Sequence, residues 1–329
     1  MAMRIELGKF ANINGLEQWL TIRGDDTANP VLLMVPGPGA ALSRMADFFS
    51  PWEKDFTLVQ WDQPNAGATL ARSGNPVSLS IDRIVQDGIA VAEFACRTLQ
   101  VHRIAVLGIS AGTIVALNLA KRRPDLFSAY IGTGQVVNWA HQDTLSYEAL
   151  LDDARSAGDD AMELELENLG PPPYGCSAHD AIKSKYAGAL TAAEQRALAS
   201  LDPSVMARMH APPAGATYVP AGLEAGDIKA AAAAAYETLR AEIVNFDAHS
   251  LGLEFAVPMF FLQGELDVFT VNSQVWLYAE EIQAPAKEFD LIDGGGHSVF
   301  LMRDAFLQAL NFHVHATALQ RASRAFSDP

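Results

Sequence analysis

The stretch that decides the fold is Val106-Leu107-Gly108-Ile109-Ser110-Ala111-Gly112-Thr113. Just ahead of it, Arg103-Ile104-Ala105-Val106-Leu107 is apolar and partly β-branched, as a buried strand is. Behind it, Ile114, Val115, Leu117, Leu119 and Ala120 recur at helical spacing until Pro124 ends the segment. Gly-x-Ser-x-Gly lies between. A serine between a strand end and a helix start needs a tight, strained turn, and glycines at 108 and 112 remove the Cβ atoms that would clash there. Such a turn holds the Ser110 hydroxyl clear of the backbone. It also leaves the Ala111 N–H at the positive end of a helix, facing whatever Ser110 attacks. Without the flanking strand and helix the pattern would be an ordinary Gly-Ser loop.

The rhythm of the chain around this turn predicts an α/β protein. Asn14-Gly15 is a two-residue hairpin signal, with Leu16, Trp19, Leu20 and Ile22 supplying the β-prone residues after it. Val31-Leu32-Leu33-Met34-Val35 is a continuous apolar run of strand length. It runs into Pro36-Gly37-Pro38-Gly39-Ala40, after which Ser43 is placed to cap a short helix. Phe56-Thr57-Leu58-Val59-Gln60-Trp61 is a second such run, followed by the turn-rich Asp62-Gln63-Pro64-Asn65-Ala66-Gly67. Ser80 caps a long amphipathic helix, and a strand around residues 127–132 follows the serine turn and its helix. Alternating βα units of this kind imply a mostly parallel sheet with right-handed crossovers and helices on both faces.

The rhythm breaks over residues 135–255. Ala-rich and acidic helical segments (147–169, 191–201 and 227–245) are divided by Pro171-Pro172-Pro173 and Pro212-Pro213. It resumes with a strand at 257–262, a helix at 271–282, a last strand at 286–292 and a closing helix at 300–318. The expected division is a core of residues 1–134 and 256–329, with 135–255 inserted as a helical lid over the C-terminal edge of the sheet.

Composition narrows the function. The chain has 329 residues, half of them apolar, and a net charge of -16. That charge argues against a nucleic-acid partner, since a phosphate-binding surface needs clustered Lys and Arg. Lys121-Arg122-Arg123 is the one basic cluster, and it sits at a helix C-terminus, where cations are favoured anyway. Two cysteines, Cys96 and Cys176, make no disulfide framework. The first ten residues carry Arg4, Glu6 and Lys9 with no apolar core, and no stretch approaches a membrane span. A cytoplasmic protein with neither leader nor membrane contact is expected, its oligomeric state left open.

A serine hydroxyl needs a positioned base, normally a histidine held in one tautomer by a carboxylate. Of eight histidines, only His297 follows a strand directly in a glycine-rich loop, Asp293-Gly294-Gly295-Gly296-His297. Asp267 likewise follows a strand after Gly264-Glu265-Leu266. All three lie just past strand C-termini, where open α/β sheets form sites, and Ser–Asp–His is the order of an α/β-hydrolase. Asp267 could instead be the N-cap of the next helix, with Glu265, Asp290 or Asp293 supplying the acid, and His297 could be a plain loop residue. An oxyanion needs two backbone donors. Ala111 N–H is one, and Gly37 is the other by elimination, because Pro36 and Pro38 have no N–H. His313 and His315, two apart on a helix, share no face, so no metal pair is indicated, and no cofactor is expected.

At this point the chain resembles α/β-hydrolases of the proline iminopeptidase type. Members carry His-Gly-Gly-Pro-Gly where Val35-Pro36-Gly37-Pro38-Gly39 stands, and Asp-Gln-Arg-Gly-x-Gly where Asp62-Gln63-Pro64-Asn65-Ala66-Gly67 stands. The serine turn, Gly264-Glu265-Leu266-Asp267 and Gly295-Gly296-His297-Ser298 match in order. The resemblance covers residues 30–134 and 257–312. It implies Ser110 as nucleophile, Asp267 as orienter, His297 as base, and Gly37 with Ala111 as oxyanion hole. The implied substrate is a small molecule or short peptide. The Trp-Glu pair with which such aminopeptidases hold a free amine is missing from residues 135–254, where Trp139 has no Glu after it. Candidate substrate-binding residues are Asp62, Gln63, Glu163 and Glu167. The period of two of Glu163, Glu165 and Glu167 on a helix favours a solvated face. An esterase or lactonase, a C–C hydrolase or lyase on the same residues, and a non-catalytic binding protein stay open beside the aminopeptidase.

Overall fold

Asn14 and Gly15 both take positive φ, 48° and 87°, the signature of a type I′ turn. They join β1 (Ile5–Ile13) to β2 (Leu16–Gly24) in an antiparallel hairpin. The computed structural model describes residues 3–210, 215–220 and 228–315. After the hairpin come β3 (Val31–Val35), α1 (Ala46–Phe49), β4 (Thr57–Asp62), α2 (Gly67–Ser73) and α3 (Ile81–Leu99). Next are β5 (Ile104–Ile109), α4 (Gly112–Arg122) and β6 (Phe127–Thr133). Among the described residues, six helices separate β6 from the next strand: α5 (Trp139–Ala157), α6 (Asp160–Leu169), α7 (Ser177–Ala187), α8 (Ala192–Ala199), α9 (Pro203–His210) and α10 (Ile228–Val244). The chain closes with β7 (Met259–Gly264), α11 (Asn272–Glu281), β8 (Lys287–Ile292) and α12 (Arg303–Leu310).

The eight strands form one sheet in the order β1-β2-β4-β3-β5-β6-β7-β8. Only the pairings of β1 with β2 and β2 with β4 are antiparallel. The apolar run of β3 shows why a continuous hydrophobic strand belongs at the centre. Side chains alternate across a strand, so Val31, Leu33 and Val35 enter one core while Leu32 and Met34 enter the other. The first core meets α3 and α4 through Ile84, Val85, Ile114 and Leu117. The second meets α1 and α12 through Phe48, Phe49, Phe306 and Leu310. Burying a side chain of this size contributes about 1.5–3 kcal/mol, so two such layers fix the sheet firmly.

Several expectations shift. The helix expected over 147–169 breaks into α5 and α6, because Gly158 turns left-handed (φ 66°) and Asp159 caps the restart by accepting from Met162 N–H. Helices α7 and α9 lie where none was expected. Ser43 caps nothing, since its hydroxyl is bound to Asp62 instead. Ser80 does cap α3, accepting from Arg83 N–H at 3.1 Å. The closing helix is shorter than 300–318: a 3-10 turn (Val299–Leu301) precedes α12 and a π turn (Asn311–His315) follows it. Residues 316–318, like Pro212-Pro213 and Asp227, lie outside the described residues. The two chain ends that flank the six helices meet: Asn138 bridges Asp247, and Ala248 N–H donates to the Val137 carbonyl at 2.7 Å. No helix among the described residues is long and apolar enough to cross a membrane.

Candidate active site

Ser110 takes φ 54°, a left-handed conformation that costs a non-glycine residue on the order of 1–3 kcal/mol and persists only where the surroundings enforce it. Here they do. Ser110 N–H donates to the Thr133 carbonyl at 2.9 Å. The Ser110 carbonyl accepts from Thr113 twice, from the amide at 2.8 Å and from the hydroxyl at 2.6 Å. Gly112 lets the end of β3 lie against the start of α4, since a Cβ there would stand 2.1 Å from the Val35 carbonyl oxygen.

Asp267 and His297 arrive from the two neighbouring strand ends, β7 and β8. Leu266 N–H donates to the Gly295 carbonyl at 2.7 Å, lacing the two loops together. The Asp267 carboxylate is buried. Its Oδ1 accepts from the amides of Phe269 (2.8 Å) and Thr270 (3.0 Å), and its Oδ2 from the Thr270 hydroxyl (2.6 Å). Asp267 does not cap α11, whose N-cap is Val271; its carboxylate closes its own turn and faces the imidazole, with His297 Nδ1 3.1 Å from Oδ2 and 3.3 Å from Oδ1. The Asp267 pKa ends below the ordinary carboxylate range. Burial, the largest influence, pushes it up, but the imidazole and the hydrogen bonds from His297 and Thr270 together outweigh it.

On the far side of the ring, His297 Nε2 lies 2.9 Å from Ser110 Oγ. With Nδ1 facing a carboxylate, the neutral imidazole carries its proton there and presents Nε2 as the acceptor of the serine proton. Gly134, at φ 56°, makes room for this ring, because a Cβ there would stand 2.8 Å from His297 Cε1. The other carboxylates are occupied elsewhere. Glu265 accepts from Gly294 N–H at 3.0 Å, Asp290 pairs with His313, and Asp293 is exposed.

The loop after β3 brings Gly37 against the serine turn; a Cβ on Gly37 would sit 3.6 Å from Ala111 Cβ. Ala40 N–H donates to the Gly37 carbonyl at 3.1 Å, with Pro38 and Gly39 (φ 82°) between, a type II turn. Among the described residues, neither Gly37 N–H nor Ala111 N–H has a backbone acceptor.

The four candidate substrate-binding residues are each engaged by the protein itself. Asp62 and Gln63 are both 0% exposed, so neither presents a surface to a ligand. Asp62 accepts from the Ser43 hydroxyl (2.6 Å) and Ala68 N–H (2.9 Å), and Gln63 Nε2 donates to the Pro36 carbonyl (3.0 Å). Burial pushes the Asp62 carboxyl up to about 6 against the opposing hydrogen bonds from Ser43 and Ala68. Glu163 and Glu167 on α6 are held by Arg155 of α5, at 2.7 and 3.0 Å, so a cation of the protein itself takes the place expected for a substrate amine.

Sequence reasoning missed three contributors. The Phe269 ring stacks on His297 with centroids 4.6 Å apart. Lys183 of α7 lies with its Nζ 4.7 Å from that ring's centroid and is ion-paired with Asp143 of α5, both buried. Thr191 and Glu194 form a capping box at the start of α8 that also grips the histidine loop. Thr191 Oγ1 donates to the Gly294 carbonyl at 2.7 Å, and Glu194 Oε1 accepts from Gly296 N–H at 2.9 Å. The Thr-x-x-Glu spacing was the one available signal. Among the described residues, no group of three or more His, Cys, Asp or Glu could hold a metal ion.

With this geometry in hand, the chain matches the serine aminopeptidase S33 hydrolase family over residues 26–304, and it belongs to that family. Its sheet order and helices are those of the α/β-hydrolase fold. It is 24% identical over 306 residues to the probable aminopeptidase YbaC of Bacillus subtilis (strain 168), covering 89% of this chain and 91% of that one. Among solved structures it is similar to a proline iminopeptidase-related protein of Thermus thermophilus (TM-score 0.64, 18% identity, 95% of this chain and 98% of that chain). It is also similar to 2-hydroxy-6-oxo-6-phenylhexa-2,4-dienoate hydrolase of a Rhodococcus species (TM-score 0.55, 16% identity, 96% and 100%).

Proposed function

We propose that this chain is a serine hydrolase that cleaves a small ester or amide through an acyl-enzyme, in the manner of a proline iminopeptidase. The observation that carries the reading is the hydrogen-bonded chain Ser110 Oγ, His297 Nε2, His297 Nδ1, Asp267, with steps of 2.9 and 3.1 Å, in which the imidazole takes the serine proton and the carboxylate orients it. Ser110 Oγ attacks the substrate carbonyl carbon while its proton passes to Nε2. The carbonyl oxygen, now an oxyanion, accepts from Gly37 N–H and Ala111 N–H. Collapse of the tetrahedral intermediate expels the alcohol or amine, which takes the proton back from Nε2. Water then attacks the ester carbon of the acyl-enzyme with Nε2 as base, and Ser110 regains its proton as the acid leaves.

The core of this reading spans residues 1–134 and 256–329, with 135–255 as a lid hinged where Asn138 meets Asp247. Its support is the short neck and the reach of α8 down to the histidine loop.

A second reading, an esterase without aminopeptidase activity, is favoured by the lid's carboxylates. Glu163 and Glu167 are engaged by Arg155, Glu165 by Lys185, Asp143 by Lys183 and Asp180 by Arg240. A substrate ammonium binding at any of these five carboxylates would have to displace its cation.

Labelling with a fluorophosphonate, and its loss in Ser110→Ala, tests the mechanism; an unlabelled wild type would count against it. A panel of p-nitrophenyl esters beside prolyl and alanyl arylamides decides between the two readings. Turnover of the arylamides selects the aminopeptidase, and turnover of the esters alone selects the esterase.

A further inference from the structure

From the buried contact between Gln63 and the Pro36 carbonyl we infer that Gln63 is a positioning residue that aims the Gly37 N–H at the developing oxyanion. The inference rests on the acyl-enzyme reading above and deepens it. A trans peptide is planar, so its C=O and N–H point in opposite directions. The Pro36 carbonyl and the Gly37 N–H belong to one such plane. Gln63 Nε2 holds that carbonyl at 3.0 Å from the side of β4, and the N–H is thereby turned away from β4. Gly37 itself stands beside the serine turn, since a Cβ on it would be 3.6 Å from Ala111 Cβ, and the Pro36 carbonyl packs against Gly112, whose Cβ would be 2.6 Å from that oxygen.

The loop needs such a brace because it cannot supply one. Pro36 and Pro38 contribute no donor, and the Gly37 carbonyl is already spent on Ala40 N–H. Glycine at 37 leaves the plane free to rotate, since no Cβ resists a flip. The remaining contacts come from the same strand end: Gln60 Nε2 donates to the Leu42 carbonyl at 3.0 Å, and Asp62 accepts from Ser43. They anchor the far end of the loop, so among the described residues the hydrogen bond that holds the Pro36–Gly37 peptide comes from Gln63. A flipped peptide would leave the buried Gln63 amide and the Pro36 carbonyl both unpaired, which is why the aimed state is preferred.

Gln63→Met keeps the length and removes the donor. With p-nitrophenyl acetate its kcat should fall roughly 10- to 100-fold, somewhat less than outright loss of an oxyanion donor, while KM changes less than about threefold. Affinity for a trifluoromethyl ketone, whose serine adduct carries the oxyanion, should fall in the same proportion. A folded Gln63→Met with kcat within about twofold of the wild type, or a kcat loss that leaves ketone affinity unchanged, overturns the inference. Gln63→Glu covers the case in which Gln63→Met does not fold. Its carboxyl can donate only when protonated, so its kcat relative to the wild type should climb as pH falls, and a ratio flat with pH overturns the inference as well. Ser110→Ala is measured alongside. Turnover surviving there removes the acyl-enzyme reading and this inference together, whereas full activity in Gln63→Met beside an inactive Ser110→Ala removes this inference alone.

Discussion

The ring of Phe269 lies nearly parallel to the imidazole of His297, with centroids 4.6 Å apart and planes at 27°. Two residues after Asp267, it is placed there by the same turn that the Asp267 carboxylate caps. Carboxylate, aromatic ring and serine thus bound the imidazole on three sides. An aromatic stack of this kind contributes about 0.5–1.5 kcal/mol beyond simple burial. Phe269→Leu should therefore lower kcat by roughly 2- to 10-fold with the protein still folded, while Phe269→Tyr, which keeps the ring, should not. Steady-state kinetics on an activated ester reads this directly, and equal kcat in all three proteins would show that the stack does not hold the base.

The grip of α8 on the histidine loop makes a second expectation. Glu194 is fully buried and accepts from both Thr191 N–H and Gly296 N–H. Glu194→Ala removes the N3 half of the capping box, the acceptor of Thr191 N–H, and leaves the buried Gly296 amide without its acceptor, about 1–3 kcal/mol. Urea melts should register the combined loss. Because Gly296 adjoins His297, kcat should drop with it, roughly tenfold. Thr191→Ala keeps the carboxylate but loses both the N-cap bond from Glu194 N–H and the bond to the Gly294 carbonyl, so it should be destabilised as well, with a smaller fall in kcat because the Gly296 amide keeps its acceptor.

Asp62 sets a pH dependence of stability. Its folded pKa, about 6, lies above the ordinary value of 3.8 because burial outweighs the hydrogen bonds from Ser43 and Ala68. The folded state therefore binds more protons than the unfolded one between these values. The contribution is present in full below about pH 4 and is lost as pH rises through about 6. The span corresponds to about 3 kcal/mol. Asp62→Asn has no such titration, so its stability minus that of the wild type should increase across this window in denaturant melts. A difference that stays flat would mean that Asp62 ionises normally in the fold.

The buried pair Lys183 and Asp143 yields a fourth. Removing one partner strands the other, at a cost of about 3–5 kcal/mol, whereas replacing both with apolar residues of similar volume is close to neutral. Lys183→Met should lower the melting temperature sharply, and Lys183→Met with Asp143→Leu should recover most of it. Burial is the largest influence on the Asp143 carboxyl and pushes its pKa up, with Lys183 opposing. Without the ammonium, the carboxyl should prefer its neutral form, so the single variant should be less destabilised at acidic pH than at alkaline pH. Equal melting temperatures for the single and double variants would sink this account.

How far the sequence reaches is clear from particular residues. Strand Val31–Val35 was legible because five consecutive apolar residues between turn signals suit a strand buried on both faces. The turn at Ser110 was legible because glycines at fixed offsets bracket a residue forced to positive φ. Asp267 and His297 were legible because each follows a strand within a short glycine-bearing loop. The break between α5 and α6 was missed because Gly158 inside a helical pattern is tolerated as often as it terminates. Ser43, read as a cap, donates to Asp62, 19 residues away, a partner that no local pattern reveals.

The alternation of strands and helices outside residues 135–255, the strained serine turn and the three chemically able side chains were all written into local sequence. These depend on backbone preference and on hydrophobic period, which act over a few residues. Which carboxylates are free and which are held was settled by packing instead. Arg155 claims Glu163 and Glu167, Lys183 claims Asp143, and Asp62 and Gln63 turn inward to brace the loops around Gly37. Those outcomes are set by charge and hydrogen-bond competition between segments far apart in the chain. A buried polar group takes whatever partner the packed fold brings within about 3 Å, and that partner is not written beside it.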